Sequence, residues 1–529
     1  MKDRNAIPSA ADTLIHPLAV DLQGMKIPKE WFTEKCSGAE VIHTETKISA
    51  TNPDKKYLEV FGYIYPVDPD APNIEWKILL PQEWNGRSVQ MGGGANNGQI
   101  PNVEGPVIVS DIIPVDHGYV VYGSDSGHQS PSPMDADFAA NDESLANYIR
   151  LQLIKTQFVM RYITKQYYGQ APFLNYFAGG STGGREALEC AISYGKYYDG
   201  IFCCEPSSNY VLLRMWGALL SKAVYDSYDA ESYPYSDGFI DEETIASIQK
   251  DAIELYDELD GIKDGIVSNI YAARANRDNF IKIIRDKYTL TDAQLKTLKV
   301  YEEGFQLDYT MANGMDSYHG YCALEGGSMD LGPDPVPREP LDTTYNVHHG
   351  DRADGVFKYI ITKDPTWKLI DHDYYHPDDR LYTMLMEASR KYDANRPDFD
   401  EFIENQGKFI FFIGWSDMSI SPWQLIQQYR MIEEKYGKGA LKSFFRFYAM
   451  PSVTHCAGIA MDYLSWLDTW CTTGKYPSET LYARMLKTGG EMPMAEFPGW
   501  VKYESGDPMK GDSYSVSYDI PDDFWGRFD

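Results

Sequence analysis

Ser181 stands in the run Gly179-Gly180-Ser181-Thr182-Gly183. This G-x-S-x-G spacing restricts what the chain can fold into more than any other stretch. A serine at the apex of a sharp strand-to-helix turn has a strained backbone. Glycines two positions to either side remove the Cβ atoms that would otherwise hold strand and helix apart. Glycine and serine are common, so the pattern needs a strand before it and a helix after it. Ala171-Pro172 leads into the mostly apolar run from Phe173 to Ala178, which predicts a buried strand. After the turn, Ala187, Leu188, Ala191 and Ile192 share one helical face, and Gly195 marks a stop. Strand, turn and helix in this order predict an α/β fold whose serine is an acyl-transfer nucleophile.

A chain of 529 residues exceeds what one compact hydrolase core needs, so a core plus a large insertion is expected. With 43% hydrophobic and 14% aromatic residues the chain can build a real core. No run approaches the ~18 apolar residues of a transmembrane helix. The net charge of −30 opposes phosphate backbones and anionic lipid, and no basic cluster reverses it locally. Nucleic acid and membrane are therefore set aside as partners. Seven cysteines, with Cys203 and Cys204 adjacent, imply no dense disulfide framework and leave at least one thiol free or paired between chains. The first residues lack the apolar segment of a secretory signal, which reads as cytoplasmic at face value and as secreted if a leader has been removed.

A nucleophile of this kind takes its partners in the chain order serine, acid, histidine, which excludes His16, His43, His117 and His128. His128, in Gly123-Ser-Asp-Ser-Gly-His128, reads as a hydrogen-bonded turn histidine. His319, His348, His349, His372 and His376 fall in a Tyr-, Asp- and Gly-rich region without clear strands, whereas His455 follows the strand-like run that begins at Phe447. His455 is expected to be the base. The apolar run Lys408 to Gly414 predicts a strand, and Asp417 on the loop after it is expected to orient the imidazole. Asp462 comes too late in the order.

The oxyanion needs two backbone donors. Thr182, next after the nucleophile, is one. For the second, Arg87 to Met91 reads as a strand emptying into the glycine-rich loop Gly92 to Gly98, and Gly93, give or take one residue, is the expected donor. A phosphate-binding reading of these glycines fails because no Gly-Lys-Ser/Thr follows.

These segments, with Gly118 to His128, Tyr198-Asp-Gly-Ile201, Gly414 to Pro422, and His455-Cys456 followed by Trp466 to Pro477, resemble the tannase and feruloyl esterase family of α/β-hydrolases. The resemblance covers most of the chain. It implies an α/β-hydrolase core, a mostly parallel sheet flanked by helices, at 1–205 and 410–529, with a lid domain inserted at 206–409 between nucleophile and acid. The family's pattern joins a cysteine just before the nucleophile to one just after the histidine. Cys456 is present here but Gly180 fills the first position, so that tie is absent and noncovalent packing is expected to hold Ser181 and His455 in register. A lid is expected to exclude water and to offer aromatic faces, although most of its aromatics, taken singly, read as ordinary packing.

Asp257, Glu258, Asp260 and Asp264 cluster with two glycines between Asp257 and Ile266. Hard cations take carboxylate and carbonyl oxygens, and the spacing is not that of an EF-hand. The segment resembles the structural calcium loop of the family's lid, which implies Ca2+ held by side chains of Asp257, Asp260 and Asp264 and carbonyls of Ile262 and Ile266. The alternative is a solvated acidic turn. No organic cofactor is expected.

The expected activity is two-step hydrolysis of an aromatic ester, a small phenolic ester or plant polyphenol. The acyl group implied by the resemblance is a hydroxycinnamate such as ferulate or, alternatively, gallate, with terephthalate monoesters more remote. Two other classes stand beside this reading: a polyphenol-binding protein with a decayed site, motivated by Gly180, and a serine peptidase on the same fold.

Overall fold

The computed structural model describes residues 7–225, 237–332, 348–477, 480–521 and 524. Strands β1 (Lys26–Ile27), β2 (Ala39–Ile48), β3 (Lys56–Ile64) and β4 (Ile74–Pro81) form an antiparallel meander. Strands β5 (Arg87–Met91) and β6 (Val120–Ser124) follow, and β6 pairs antiparallel with β4 and parallel with β5. After the short helix α1 (Asp142–Ala146) and the long α2 (Gln152–Tyr168) come β7 (Leu174–Gly180), α3 (Thr182–Tyr194) and β8 (Gly200–Cys204).

Two hundred residues farther on, the chain re-enters the same sheet. The intervening segment holds α4 (Tyr210–Tyr225), α5 (Glu242–Tyr256), α6 (Ile270–Ala275), α7 (Arg277–Tyr288), α8 (Asp292–Glu303), a ribbon of β9 (Gly304–Gln306) and β10 (Ser317–His319), α9 (His348–Val356), α10 (Asp379–Tyr392) and α11 (Asp400–Glu404). Then β11 (Lys408–Gly414) pairs parallel with β8, and β12 (Phe445–Met450) pairs parallel with β11. Helices α12 (Pro422–Tyr436), α13 (Lys438–Phe444) and α14 (Tyr463–Thr473) complete the layers. The ten strands stand in the order β1-β2-β3-β4-β6-β5-β7-β8-β11-β12.

The two halves of the sheet follow from their sequences. In β2, Ala-Glu-Val-Ile-His-Thr-Glu-Thr-Lys-Ile carries charge on alternate positions and much of it is exposed, as a near-edge antiparallel strand permits. In β11, Phe409 to Gly414 is wholly buried, with Phe409, Ile410, Phe411, Phe412 and Ile413 all at 0% exposure. A parallel strand covered by helices on both faces has no solvent side for polar residues, so its sequence runs continuously apolar.

Parallel pairing has a further consequence. Strands β5, β7, β8, β11 and β12 all run the same way. Their carboxyl ends therefore finish at one edge of the sheet, where the order of strands reverses around β5, the usual place for a site in an open α/β sheet. Register fixes the neighbours there: Met91 lies opposite Ala178, Gly180 opposite Cys204, and Gly414 opposite Met450.

Behind this edge the layers are cross-tied. Arg87, at 0% exposure, donates from Nε to Asp468 of α14 at 2.9 Å, and the Tyr176 hydroxyl of β7 donates to the same carboxylate oxygen at 2.7 Å. A buried guanidinium with a carboxylate and two carbonyls to bond holds α14 against the start of β5.

Candidate active site

Ser181 sits between β7 and α3 with φ 59° and ψ −119°, a left-handed conformation that a non-glycine residue adopts only under constraint. Its N–H donates to the Cys204 carbonyl at 3.0 Å, and its carbonyl accepts from Arg185 N–H at 3.0 Å and Ser207 N–H at 3.1 Å. The flanking glycines are required by contact. A Cβ on Gly179 would lie 2.4 Å from the Gly183 carbonyl oxygen, and one on Gly183 would lie 2.8 Å from the Gly93 oxygen. Ala95, Asn97, Ser126, Glu205 and Cys456 around the same edge also have positive φ. Strain of this kind collects where surrounding structure over-determines the backbone.

Asp417 follows β11 and His455 follows β12. The His455 Nδ1 atom lies 3.0 Å from Asp417 Oδ2 and 3.1 Å from Oδ1. Ser419 and Ile420 N–H groups donate to Asp417 Oδ1 at 2.6 and 3.1 Å, so the carboxylate is fixed before it meets the imidazole. Asp417 is buried, while 24% of the His455 side chain is exposed and borders the same cavity as Ser181. Asp462, excluded on chain order, instead caps α14 by accepting from Ser465 N–H. His128 is buried against Phe138, and its Nε2 pairs with the Asn96 carbonyl at 2.8 Å. Burial pushes its pKa down to about 4, so it is a neutral support for the glycine-rich loop.

That loop is held by a residue the sequence reading missed. Glu186 of α3 is buried, with Oε2 accepting from Gly93 N–H at 2.9 Å and Oε1 accepting from Asn97 Nδ2 at 2.8 Å and Gln152 Nε2 at 3.2 Å. The Gly93 expectation is corrected by this bond. Its N–H donates to the Glu186 carboxylate and is not directed at an oxyanion, while the neighbouring Gly94 also lines the cavity. Thr182 meets the same loop from the other side, its hydroxyl donating to the Ala95 carbonyl at 2.5 Å. Glu186 lies one turn into a helix otherwise read for its apolar face, and a lone glutamate there gives no signal in sequence.

Glu205 was missed too. It ends β8, is wholly buried, accepts from Cys456 N–H at 2.5 Å, and lies 3.6 Å from His455 Nδ1. Burial, and then the Asp417 charge, raise its pKa well above the ordinary carboxylate range. Its environment thus favours the neutral carboxyl over the charged one. Its place at the carboxyl end of a parallel strand was the one available clue.

The cavity over Ser181 has a volume of about 650 Å³. It is lined by Ile100, Pro101, Ile108 and Met134 of the core and by Leu213, Arg214 and Arg352 of the inserted segment. No Phe, Tyr or Trp lines it among the described residues, and the insert's Tyr228, Tyr233, Tyr235 and Tyr345 lie outside them. The aromatics of the insert pack on one another instead: Trp216 lies 4.7 Å from Tyr321, 5.4 Å from Tyr301 and 4.5 Å from His349, centroid to centroid.

Residues 58–517 match the model of the family described as tannase and feruloyl esterase. The chain belongs to that family. An uncharacterized esterase of Agrobacterium fabrum is 35% identical over 98% of this chain and 96% of its own length. A probable feruloyl esterase of Arthroderma benhamiae is 23% identical over 84% of this chain and 82% of its own. Among solved structures, feruloyl esterase B from Aspergillus oryzae superposes with a TM-score of 0.73 at 18% identity, covering 92% of this chain and 98% of that one. Tannin acyl hydrolase from Aspergillus niger gives 0.66 at 16%, covering 98% and 94%. The fold is the α/β-hydrolase fold, and the protein is a carboxylic ester hydrolase of the tannase and feruloyl esterase family. No helix among the described residues is long and apolar enough to cross a membrane.

Where the family pattern places a cysteine, Gly180 faces Cys456 across a tight contact: a Cβ there would lie 2.6 Å from Cys456 Sγ. The acidic loop lies at the junction of insert and core. Asp257 accepts from Gly265 N–H at 3.0 Å, Asp260 from Ile262 and Ser268 N–H at 3.2 and 3.1 Å, and Asp264 from Ile266 N–H at 2.9 Å. Lys487, in the C-terminal part of the core, donates to the Gly265 carbonyl. Burial raises the pKa of Asp260 to about 7 and raises that of Asp264 as well. Carboxylate and carbonyl oxygens are the donor type a hard cation takes, and here all three carboxylates accept backbone N–H groups of their own loop.

Replacing Glu186 by Ala leaves the Gly93 N–H, the Asn97 amide and the Gln152 amide without their acceptor. Hydrolysis of a 4-nitrophenyl ester is expected to fall about ten-fold or more in kcat, with stability lower by about 2 kcal/mol in denaturant titration. Glu186→Gln should lose less in both measurements.

Proposed function

We propose that this esterase cleaves esters of phenolic acids through an acyl-enzyme on Ser181. The observation that carries the reading is the His455–Asp417 pair at 3.0 Å, with His455 and Ser181 lining one cavity of about 650 Å³. His455 takes the Ser181 proton as the hydroxyl attacks the ester carbonyl, and Asp417 stabilises the imidazolium. The oxyanion is met by the N–H groups of Thr182 and Gly94. Water then releases the acid by the same steps. The acyl class is supported by the names of the relatives, feruloyl esterase and tannin acyl hydrolase, and by the apolar walls at Ile100, Pro101, Ile108 and Ile420. Residues 206–409 act as a lid, since Leu213, Arg214 and Arg352 border the cavity.

Ca2+ would be held by Asp257, Asp260 and Asp264 with the Ile262 and Ile266 carbonyls. Its effect would be to neutralise the buried acids and stiffen the junction of lid and core, away from the chemistry.

Methyl ferulate and methyl gallate, offered side by side, should be hydrolysed with a preference for one. Ser181→Ala should lower kcat by about three orders of magnitude or more. Turnover that survives in Ser181→Ala would overturn the assignment. Chelation of the purified protein is expected to lower its thermal midpoint, with Ca2+ restoring it and Asp260→Ala abolishing the response. An unchanged midpoint in chelator would remove the metal from the account.

A further inference from the structure

The seven cysteines differ in what can reach them. All are free thiols, and Cys456 alone among them is not buried. It lines the cavity over Ser181, so a reagent that enters there meets this thiol first.

A second thiol stands behind it. Cys204 Sγ lies 3.9 Å from Cys456 Sγ, although the two residues are 252 positions apart in the chain. The sheet brings them together: Cys204 ends β8 opposite Gly180 of β7, and Cys456 is on the loop after β12. Gly180 makes the room. A Cβ on it would lie 2.6 Å from Cys456 Sγ, so the sulfur fills space that a side chain at this position would take. Cys203, the neighbour of Cys204, faces the other side of the sheet because side chains alternate along a strand. Its Sγ donates to the Gly184 carbonyl at 3.3 Å, which leaves Cys204 as the partner within reach of Cys456.

We propose that Cys204 and Cys456 form a disulfide, closed by a small organic disulfide entering the cavity over Ser181, and that this bond holds the histidine loop to β8. The sulfurs have to approach by about 2 Å to reach bonding distance. In the first step the Cys456 thiolate attacks one sulfur of the reagent, the reagent's S–S bond breaks, and one thiolate leaves and takes up a proton. The Cys204 thiolate then attacks Cys456 Sγ in the mixed disulfide, and the second reagent thiol leaves in the same way. The protein gives up two protons and two electrons, and the reagent is reduced to two thiols. The paired Cys204 thiol, and then burial, hold the Cys456 pKa well above the ordinary cysteine value, with the Asp417 charge adding to the shift and Glu205 opposing it. Mildly alkaline solution therefore favours the reaction, because the thiolate is the nucleophile.

The bond would join two contacts that already flank the catalytic residues. The Cys204 carbonyl accepts from Ser181 N–H at 3.0 Å, and Cys456, next in the chain to His455, donates its N–H to Glu205 Oε2. A covalent link between Cys204 and Cys456 thus ties the loop of the base to the residue that holds the backbone of the nucleophile.

The test treats the full chain with hydroxyethyl disulfide at mildly alkaline pH, unfolds it in an alkylating agent and digests it without reductant. Peptide mapping should find Cys204 joined to Cys456 and two of the seven thiols lost. Cys204→Ala should instead keep one hydroxyethylthio group on Cys456. In a second readout, oxidation should raise the thermal midpoint by about 3 °C or more. That gain should be reversed by dithiothreitol and be absent in both Cys204→Ala and Cys456→Ser. Both thiols still open to alkylation in the treated wild type, or Cys456 joined to any other cysteine, would overturn the bond. An unchanged midpoint in protein shown to carry the bond, or a rise that persists in Cys204→Ala, would overturn its role in holding the loop. Neither readout uses turnover, so failure of the esterase reading looks different, with no ester cleaved and Ser181 unlabelled by a fluorophosphonate.

Discussion

The contact between two glycines and a third holds this site together. Gly179 and Gly183 close the turn at Ser181, and Gly183 donates its N–H to the Gly93 carbonyl at 3.0 Å, so the nucleophile turn and the glycine-rich loop are one unit. A Cβ at either position would meet backbone oxygen, which cannot swing aside as a side chain can. The positive φ at Ser181 is maintained because the serine is bonded through N–H to Cys204 and through its carbonyl to Arg185 and Ser207. Strand β8 and helix α3 thus grip the residue from two directions.

Around that turn the protein has buried acids with three different tasks. Glu186 spends its oxygens on the N–H and amide groups of the loop. Asp417 receives two backbone N–H groups and the imidazole. Glu205, beside Asp417, accepts from the Cys456 N–H, and burial and then the Asp417 charge raise its pKa well above the ordinary carboxylate range. Among the described residues, Arg214 and Arg352 also line the cavity.

The insert shows how residue type and role can part company. Its dense Tyr and Trp content reads equally as ligand surface or as core, and Trp216, Tyr301 and Tyr321 turned out to pack among themselves. A segment of this length, projecting from between two adjacent strands, has to bury its own apolar surface to stay folded, and large aromatic rings do so with few residues. Among the described residues, what it presents to the cavity is smaller and more polar: Ser207, Leu213, Arg214 and Arg352.

The sequence by itself determined the elements and their order. Gly179-Gly180-Ser181-Thr182-Gly183, the strand Arg87 to Met91, the apolar run ending at Gly414, and Asp417 before His455 are local patterns, and backbone sterics and periodicity make such patterns readable. Parallel pairing then brought Asp417 and His455 to within 3.0 Å, as their chain order anticipated. Tertiary structure alone decided which N–H of the glycine loop is free, since that depends on Glu186, 93 positions away, pointing at Gly93. It alone set Glu205 beside Asp417, Cys204 beside Cys456, and Arg214 over the Tyr210 ring at the cavity. Each of these residues is ordinary in its own stretch of chain. Its meaning comes from a neighbour supplied by another strand or helix, and from the loss of water, which turns a common charge or thiol into one that must find a partner.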